Sequence, residues 1–284
     1  MCKTNRRNEK NGRCKKSYVM VMLVIGMLLL TGCAFINDWP FGFINAGPLM
    51  EAHEVTVIAD IAYDVNPHLG YTVFILEDGR YVPYLVLTND YNGHTLLLRK
   101  HLLDEFMRYS PPEGTAGFAA YYGDSELGNF LNDEFFYLFC ESLQARIVNS
   151  SIEITARHSL RALADNDLEI IERRVFLLSM TETGGRHRSR MVEGRKLDYF
   201  STIERRIANT ASGHIESWWV RTPHTGSMPD QPGIISWSGY QTIGSTLTIF
   251  GYTELGVRPA FSLPNDTPII RGELEGETVF FIGN

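Results

Sequence analysis

Cysteine is scarce in this chain of 284 residues: it has four, and Cys2, Cys14 and Cys33 all fall within the first 33 positions. Only Cys140 remains for the rest, so no internal disulfide can staple the body. Stability must come from a packed core, which roughly 250 residues can supply. Cys140 sits among aromatics in "FFYLFCESL" and reads as a small buried hydrophobe. Catalytic and metal motifs are missing too: there is no H-E-x-x-H, no C-x-x-C and no G-x-S-x-G. The eight histidines, at 53, 68, 94, 101, 158, 187, 214 and 224, show no ligand spacing and read as loop residues. The expectation is therefore no metal, no cofactor and no assembled catalytic set. Acidic pairs carry no information, because acids are abundant everywhere in the chain.

Basic charge is also scarce beyond the N-terminus. The chain carries 26 basic and 33 acidic residues, of which seven basic and one acidic lie in residues 1–32. The remainder has 19 against 32, a net of 19 − 32 = −13. So acidic a body is a poor partner for nucleic acid or anionic lipid surfaces.

Those seven bases precede the one long apolar run, "YVMVMLVIGMLLL" (Tyr18–Leu30), which is followed by "LTGC" (Leu30–Cys33). The run is shorter than the roughly 20 residues of a spanning helix, and the order matches a secretory leader. Leu-Thr-Gly-Cys resembles the lipobox of bacterial lipoproteins. That resemblance implies diacylation of Cys33, cleavage before it, and anchoring at the outer face of the cytoplasmic membrane. The expected organisation is a signal peptide over 1–32, a lipidated tether over 33–53 and a single α+β domain over 54–284.

Within that domain, "EVTVIADIAY" (Glu54–Tyr63) alternates as a strand. "GYTVFIL" and "YVPYLVL" form a hairpin across Glu77–Arg80, with Pro83 marking an edge or a bulge. A further strand over Thr95–Leu98 follows the turn "NDYNG". Asp124 or Ser125 caps a helical stretch that Gly128 or Asn132-Asp133 divides. "RVFLLS" (Arg174–Ser179) is a buried strand, and "KLDYFSTIERRIANTA" carries a helical stripe of Leu197, Phe200, Ile203 and Ile207. The last third reads as short strands and turns. A helical middle between strand-rich flanks, without βα alternation, predicts an α+β fold.

The succession "TLLLRKHLL", "DSELGNFLNDEFF", "RRVFLLSMTE", "SWWVRTP" and "LGVRPAFSL" resembles the DUF6273 domain of bacterial surface and secreted proteins over about residues 71–263. "NFLN" stands where that family has W-L-N and "VRTP" where it has L-R-S-P, while Ile152–Glu172 reads as an insertion. The motif layout is similar to C-type-lectin-like and formylglycine-generating-enzyme-like folds. It implies a small twisted mixed or antiparallel sheet with flanking helices. The copper chemistry of the enzyme branch needs a cysteine pair that this body lacks. The loop Met228–Gly233 resembles the proline-flanked loop of sugar-binding lectins without its acid–amide tripeptide, and Leu263–Pro268 is a second oxygen-rich loop.

Two stretches carry the site expectations. In "SWWVRTP" (Ser217–Pro223), strand alternation places Trp218 and Val220 on one face and Trp219 and Arg221 on the other. "GVRPAF" repeats the arrangement at Arg258. A buried arginine needs an acid, so Arg221 or Arg258 is expected to pair with Glu182 of "LLSMTE". Trp218 then fills the core, while Trp219, His224, Trp237 and Tyr240 form the candidate ligand surface. Arg186, Arg188, Arg190 and Arg195 read as a solvated basic loop. The expected function is a membrane-anchored, non-catalytic module binding a glycan, a wall polymer or a surface protein. The alternatives are a hydrolase or modifying enzyme with a site assembled from distant residues, and a structural scaffold.

Overall fold

The computed structural model describes residues 56–68, 70–110, 118–161, 167–185, 192–225, 230–242, 253–274 and 277–282. The signal peptide, Cys33, the tether and the arginines 186, 188 and 190 lie outside the described residues. β1 (Thr56–Val57) is short, and the strand expected through Tyr63 gives way to a 3-10 turn that buries Ile58 and Ile61. β2 (Thr72–Glu77) and β3 (Arg80–Tyr91) make the hairpin, turning through Asp78 and Gly79 at φ 47° and 74°. Asn92 and Gly93, at φ 53° and 79°, then lead into β4 (His94–Arg99). Asp-Gly and Asn-Gly are the pairs that tolerate this left-handed turn. Pro83 lies where β3 runs beyond the Tyr84–Arg99 pairing with β4, so its missing N–H costs no ladder bond on that side.

After β5 (Met107–Arg108), a helix spans Glu126–Asp133, and the Ser125 hydroxyl accepts from the Gly128 N–H at its start. A 3-10 turn (Phe135–Leu138) and a single helical turn (Glu141–Gln144) follow. β6 (Ser150–Thr155) and β7 (Leu168–Arg173) form a separate hairpin over most of the stretch read as an insertion. β8 (Val175–Phe176), β9 (Ala208–Asn209) and β10 (Ile215–Glu216) are short. β11 (Trp218–Pro223) pairs with β12 (Pro232–Ile235), which pairs with β13 (Gln241–Thr242). β14 (Glu254–Leu255), β15 (Ala260–Leu263), β16 (Pro268–Leu274) and β17 (Glu277–Ile282) complete the order.

Among the described residues the largest sheet runs β1-β16-β17-β2-β3-β4-β15-β8. It is mixed: β17 lies parallel to β2, and the other neighbours are antiparallel. The chain is thus α+β, strand-rich with short helices. No described helix is long and apolar enough to cross a membrane.

The expected helix over "KLDYFSTIERRIANTA" does not form. Two 3-10 turns, Asp198–Ser201 and Glu204–Arg206, replace it, with Thr202 extended between them. Tertiary bonds compete for its backbone: the Phe200 carbonyl accepts from the Arg206 guanidinium, and the Arg206 carbonyl accepts from the Trp218 indole N–H. The main core includes Tyr84, Leu97, Leu131, Phe176, Trp219 and Phe261, and a smaller cluster gathers Leu102, Met180, Ala208, Trp218, Val220 and Ile235.

Candidate functional site

β11 lies between those two cores. Trp218 and Val220 face the smaller cluster, Trp219 faces the main one, and both indoles are fully buried. Each indole N–H is satisfied, Trp218 donating to the Arg206 carbonyl at 2.9 Å and Trp219 to the Met107 carbonyl at 2.8 Å. Trp219 therefore has no face for a ligand, contrary to its place in the expected surface. Alternation holds, but both faces of this strand are covered, which one strand's pattern cannot disclose.

Arg221 shares the Trp219 side and is fully buried. It makes a two-pronged pair with Glu182, Nη1 to Oε2 at 2.7 Å and Nη2 to Oε1 at 2.8 Å. The guanidinium also donates to the carbonyls of Leu177 and Glu153, and the Tyr91 hydroxyl donates to Glu182. Gly194 adjoins the pair at φ 72°, where a Cβ would sit 2.6 Å from Glu182 Oε1. A second buried carboxylate, Glu193, accepts from the Thr155 N–H and hydroxyl and the Thr222 hydroxyl, with Arg221 Nε 3.9 Å away. Burial alone would lower the Arg221 pKa, but Glu182, Tyr91 and Glu193 hold it above the ordinary arginine value. Burial raises Glu193 above the ordinary carboxylate value, and Arg221, Thr155 and Thr222 offset this only in part.

Arg258 does not pair with Glu182, and no described carboxylate meets it. Its Nε donates to the Arg99 carbonyl at 2.8 Å and Nη2 to the Lys100 carbonyl at 3.2 Å, while the guanidinium lies 5.4 Å from the Trp218 ring centroid. Nη1 is buried without a hydrogen-bond partner. Burial pulls this guanidinium down to about 10, with Tyr199 acting the other way, so it stays charged at neutral pH. The second buried ion pair is one the sequence reading missed: Arg99 with Glu77 at 3.0 Å, joined by the Tyr84 hydroxyl. Its signal was present, because Glu77 shares the inward face of β2 with Val73 and Ile75.

A family model described as "Domain of unknown function (DUF6273)" matches residues 92–265, more than half of the chain. The chain belongs to the DUF6273 family. No curated protein and no solved structure matches it. The matched region begins after β3, so the β2–β3 hairpin precedes it. The DUF6273 motifs bind one another in this fold. Asn132 of "NFLN" accepts from the Arg174 and Val175 N–H groups and donates to the Val175 carbonyl, tying the helix to β8. Glu182 of "LLSMTE" holds Arg221 of "SWWVRTP", and Arg258 of "GVRPAF" reaches the carbonyls of "LLLRK". In this chain those motif residues tie the fold together.

What is left at the surface is different in kind. Trp237 and Tyr240 are 66% and 61% exposed on the turn between β12 and β13. The turn is pinned: the Ser236 N–H donates to the Tyr240 carbonyl, the Gly239 N–H to the Ser236 carbonyl, and the Trp237 N–H to the Ser217 hydroxyl. Gly239, at φ 78°, lies where a Cβ would be 2.4 Å from the Ile203 carbonyl oxygen. His224 is half-buried, its Nδ1 is buried without a partner, and burial lowers its pKa. Arg195 pairs with Asp90 at 3.1 Å on an exposed surface. No group of three or more His, Cys, Asp or Glu among the described residues is arranged to hold a metal ion.

Proposed function

We propose that this DUF6273 protein is a bacterial lipoprotein, acylated at Cys33 and held at the outer face of the cytoplasmic membrane. There its domain serves as a non-catalytic binding module for a glycan or cell-wall component. The lipobox-like "LTGC" and its basic, apolar leader support the anchor. The observation that carries the binding role is the exposed Trp237–Tyr240 turn. Two large aromatic rings face solvent on a backbone fixed by four hydrogen bonds, counting that from the Tyr240 N–H to the Ser236 hydroxyl. Exposing such apolar area without a partner is unfavourable, and a rigid turn reduces the entropy lost on binding. The α+β sheet is read further as a C-type-lectin-like or formylglycine-generating-enzyme-like variant. The oxygen-rich loop Leu263–Pro268 is used internally, since the Asn265 side chain accepts from Thr95.

The test is co-sedimentation of the full-length chain with purified wall fractions, comparing wild type with the double variant Trp237→Ala, Tyr240→Ala. Retained folding with lost sedimentation is the expected outcome; equal sedimentation of both proteins removes the turn as the site. For the anchor, Cys33→Ser should release the protein from membranes, and unchanged retention would overturn the lipidation.

A further inference from the structure

Outside that turn, a groove of about 490 Å³ lies beside the helical middle. Its walls are the 3-10 turn Phe135–Leu138, the helical turn Glu141–Gln144, the strand-like approach to β6, and Arg174 at the entrance to β8. The volume falls in the roughly 300–1,000 Å³ range of small-molecule sites. Tyr137 is 62% exposed at one wall. The Arg174 guanidinium lies 4.8 Å from the Phe136 ring centroid. No acid among the described residues pairs with it, although acids outnumber bases in the chain, 33 to 26. Stacking occupies the face of a guanidinium and leaves its in-plane N–H donors available. The backbone of Arg174 is not loose, because Asn132 accepts from its N–H at 3.0 Å and from that of Val175 at 3.2 Å.

The remaining lining is mixed: Ala145 and Ile147 are apolar, and Glu141, Gln144 and Asn149 are polar. Gln144 donates its amide N–H to the Phe139 carbonyl at 2.6 Å, which leaves its Oε1 as an acceptor. Glu141 and Asn149 line the same groove and are exposed. One cation seated on the buried Phe136 ring, one exposed aromatic ring and several acceptors describe a receptor for a ring with an apolar face, an acid group and hydroxyl or amide donors. We infer that this groove binds a carboxylate-bearing sugar, its carboxylate forked by Arg174 and its ring stacked on Tyr137. A two-bond carboxylate contact is directional and stronger than a neutral hydrogen bond, so the acid would set the preference. The inference rests on the reading of the chain as a glycan-binding module, but it places the ligand on a surface that does not include Trp237 or Tyr240.

The experiment is calorimetric titration of the full-length chain in detergent with N-acetylmuramic acid, D-glucuronic acid and neutral N-acetylglucosamine. The two acidic sugars should bind at least about tenfold more tightly than the neutral one. R174Q should abolish that preference, R174K should retain part of it, and Y137A should weaken all three sugars. Arg174 and Tyr137 are exposed, so thermal melts of these variants should match wild type. Wild-type protein that does not bind the acidic sugars, or binds all three alike, overturns the inference, as does R174Q that keeps the preference. Loss of binding in the Trp237→Ala, Tyr240→Ala variant with intact binding in R174Q and Y137A would overturn the groove and support the turn. The reverse pattern would support the groove and overturn the turn.

Discussion

Two arginines, each in a Val-Arg motif and each buried, are held in opposite ways. Arg221 meets the two oxygens of Glu182 and stands 3.9 Å from Glu193, so its charge is matched by a buried acid with a second carboxyl group beside it. Arg258 meets main-chain carbonyls and the Trp218 ring, with no described carboxylate beside it. The same local sequence thus yields an ion pair at one place and a lone cation at the other. The difference lies in what packs opposite: the Ser179–Glu182 turn brings its acid back onto its own strand end, where the Ser179 N–H also donates to Glu182. Opposite Arg258 lies the Arg99–Lys100 backbone, and the buried acid there, Glu77, is already paired with Arg99.

The contrast can be broken most sharply at Glu182. Glu182→Gln removes the two-pronged partner of buried Arg221 and leaves only Glu193, 3.9 Å from its Nε, a loss of the kind that typically costs about 3–5 kcal/mol. Urea unfolding should show a large drop in midpoint with little change in slope. A drop below about 1 kcal/mol, the level of an exposed pair, would mean that the pair is not the anchor of β11. Arg258 should behave more mildly. Arg258→Met removes two carbonyl contacts and a cation–π contact but strands no buried acid, so the expected loss is about 1–3 kcal/mol. Arg221→Met, which strands Glu182 and Glu193, should be the more damaging of the two methionine variants. Equal losses would erase the comparison.

Glu193 sharpens the same comparison through pH. Its folded pKa is raised, so the folded state holds a proton that the unfolded chain has released at the same pH. The stability this contributes is complete below the unfolded glutamate pKa, about 4.3. It is lost as pH rises through the higher folded value. Stability followed by denaturant midpoint should therefore carry a downward component over that window, and Glu193→Gln should remove it. A Gln variant with the same pH slope as wild type would assign the slope to other groups.

The sequence discloses the parts of this molecule whose cause is local. Asp78-Gly79 and Asn92-Gly93 specify two turns by their own backbone freedom, and Ser125 starts its helix three residues from the N–H it accepts. The family motifs were legible in the same way, as short strings in order. What stayed hidden depends on partners far along the chain. Trp219 is buried where Tyr109 packs edge-on against its ring and the Gly256 carbonyl accepts from its backbone N–H, at separations no window spans. β17 enters the sheet beside β2 although nearly the whole domain separates them in sequence. The helical stripe at Leu197–Ile207 was real as a pattern, and Leu197 and Phe200 pack in the core while Ile203 and Ile207 are half-buried, but hydrogen bonds from Arg206 and Trp218 claimed the backbone. The candidate site divides along the same line: Trp237 and Tyr240 sit in a local turn and could be picked out, whereas the groove at Arg174 needs three separate segments to exist.

The smallest effect on stability should come from the exposed turn, and that is its value. Trp237 and Tyr240 project from a backbone whose hydrogen bonds use main-chain groups and the Ser217 and Ser236 hydroxyls, not the rings. Replacing both by alanine removes no contact on which the turn depends, so unfolding free energy should stay within about 0.5 kcal/mol of wild type. Arg221 and Arg258 are buried and bonded inside the fold, so their loss registers as instability before it can register as function. Here the order reverses: a loss of wall binding without a shift in the urea midpoint assigns the rings to a ligand. A midpoint that falls by several kcal/mol would instead make the turn a packing element, and binding loss in that variant would no longer locate a site.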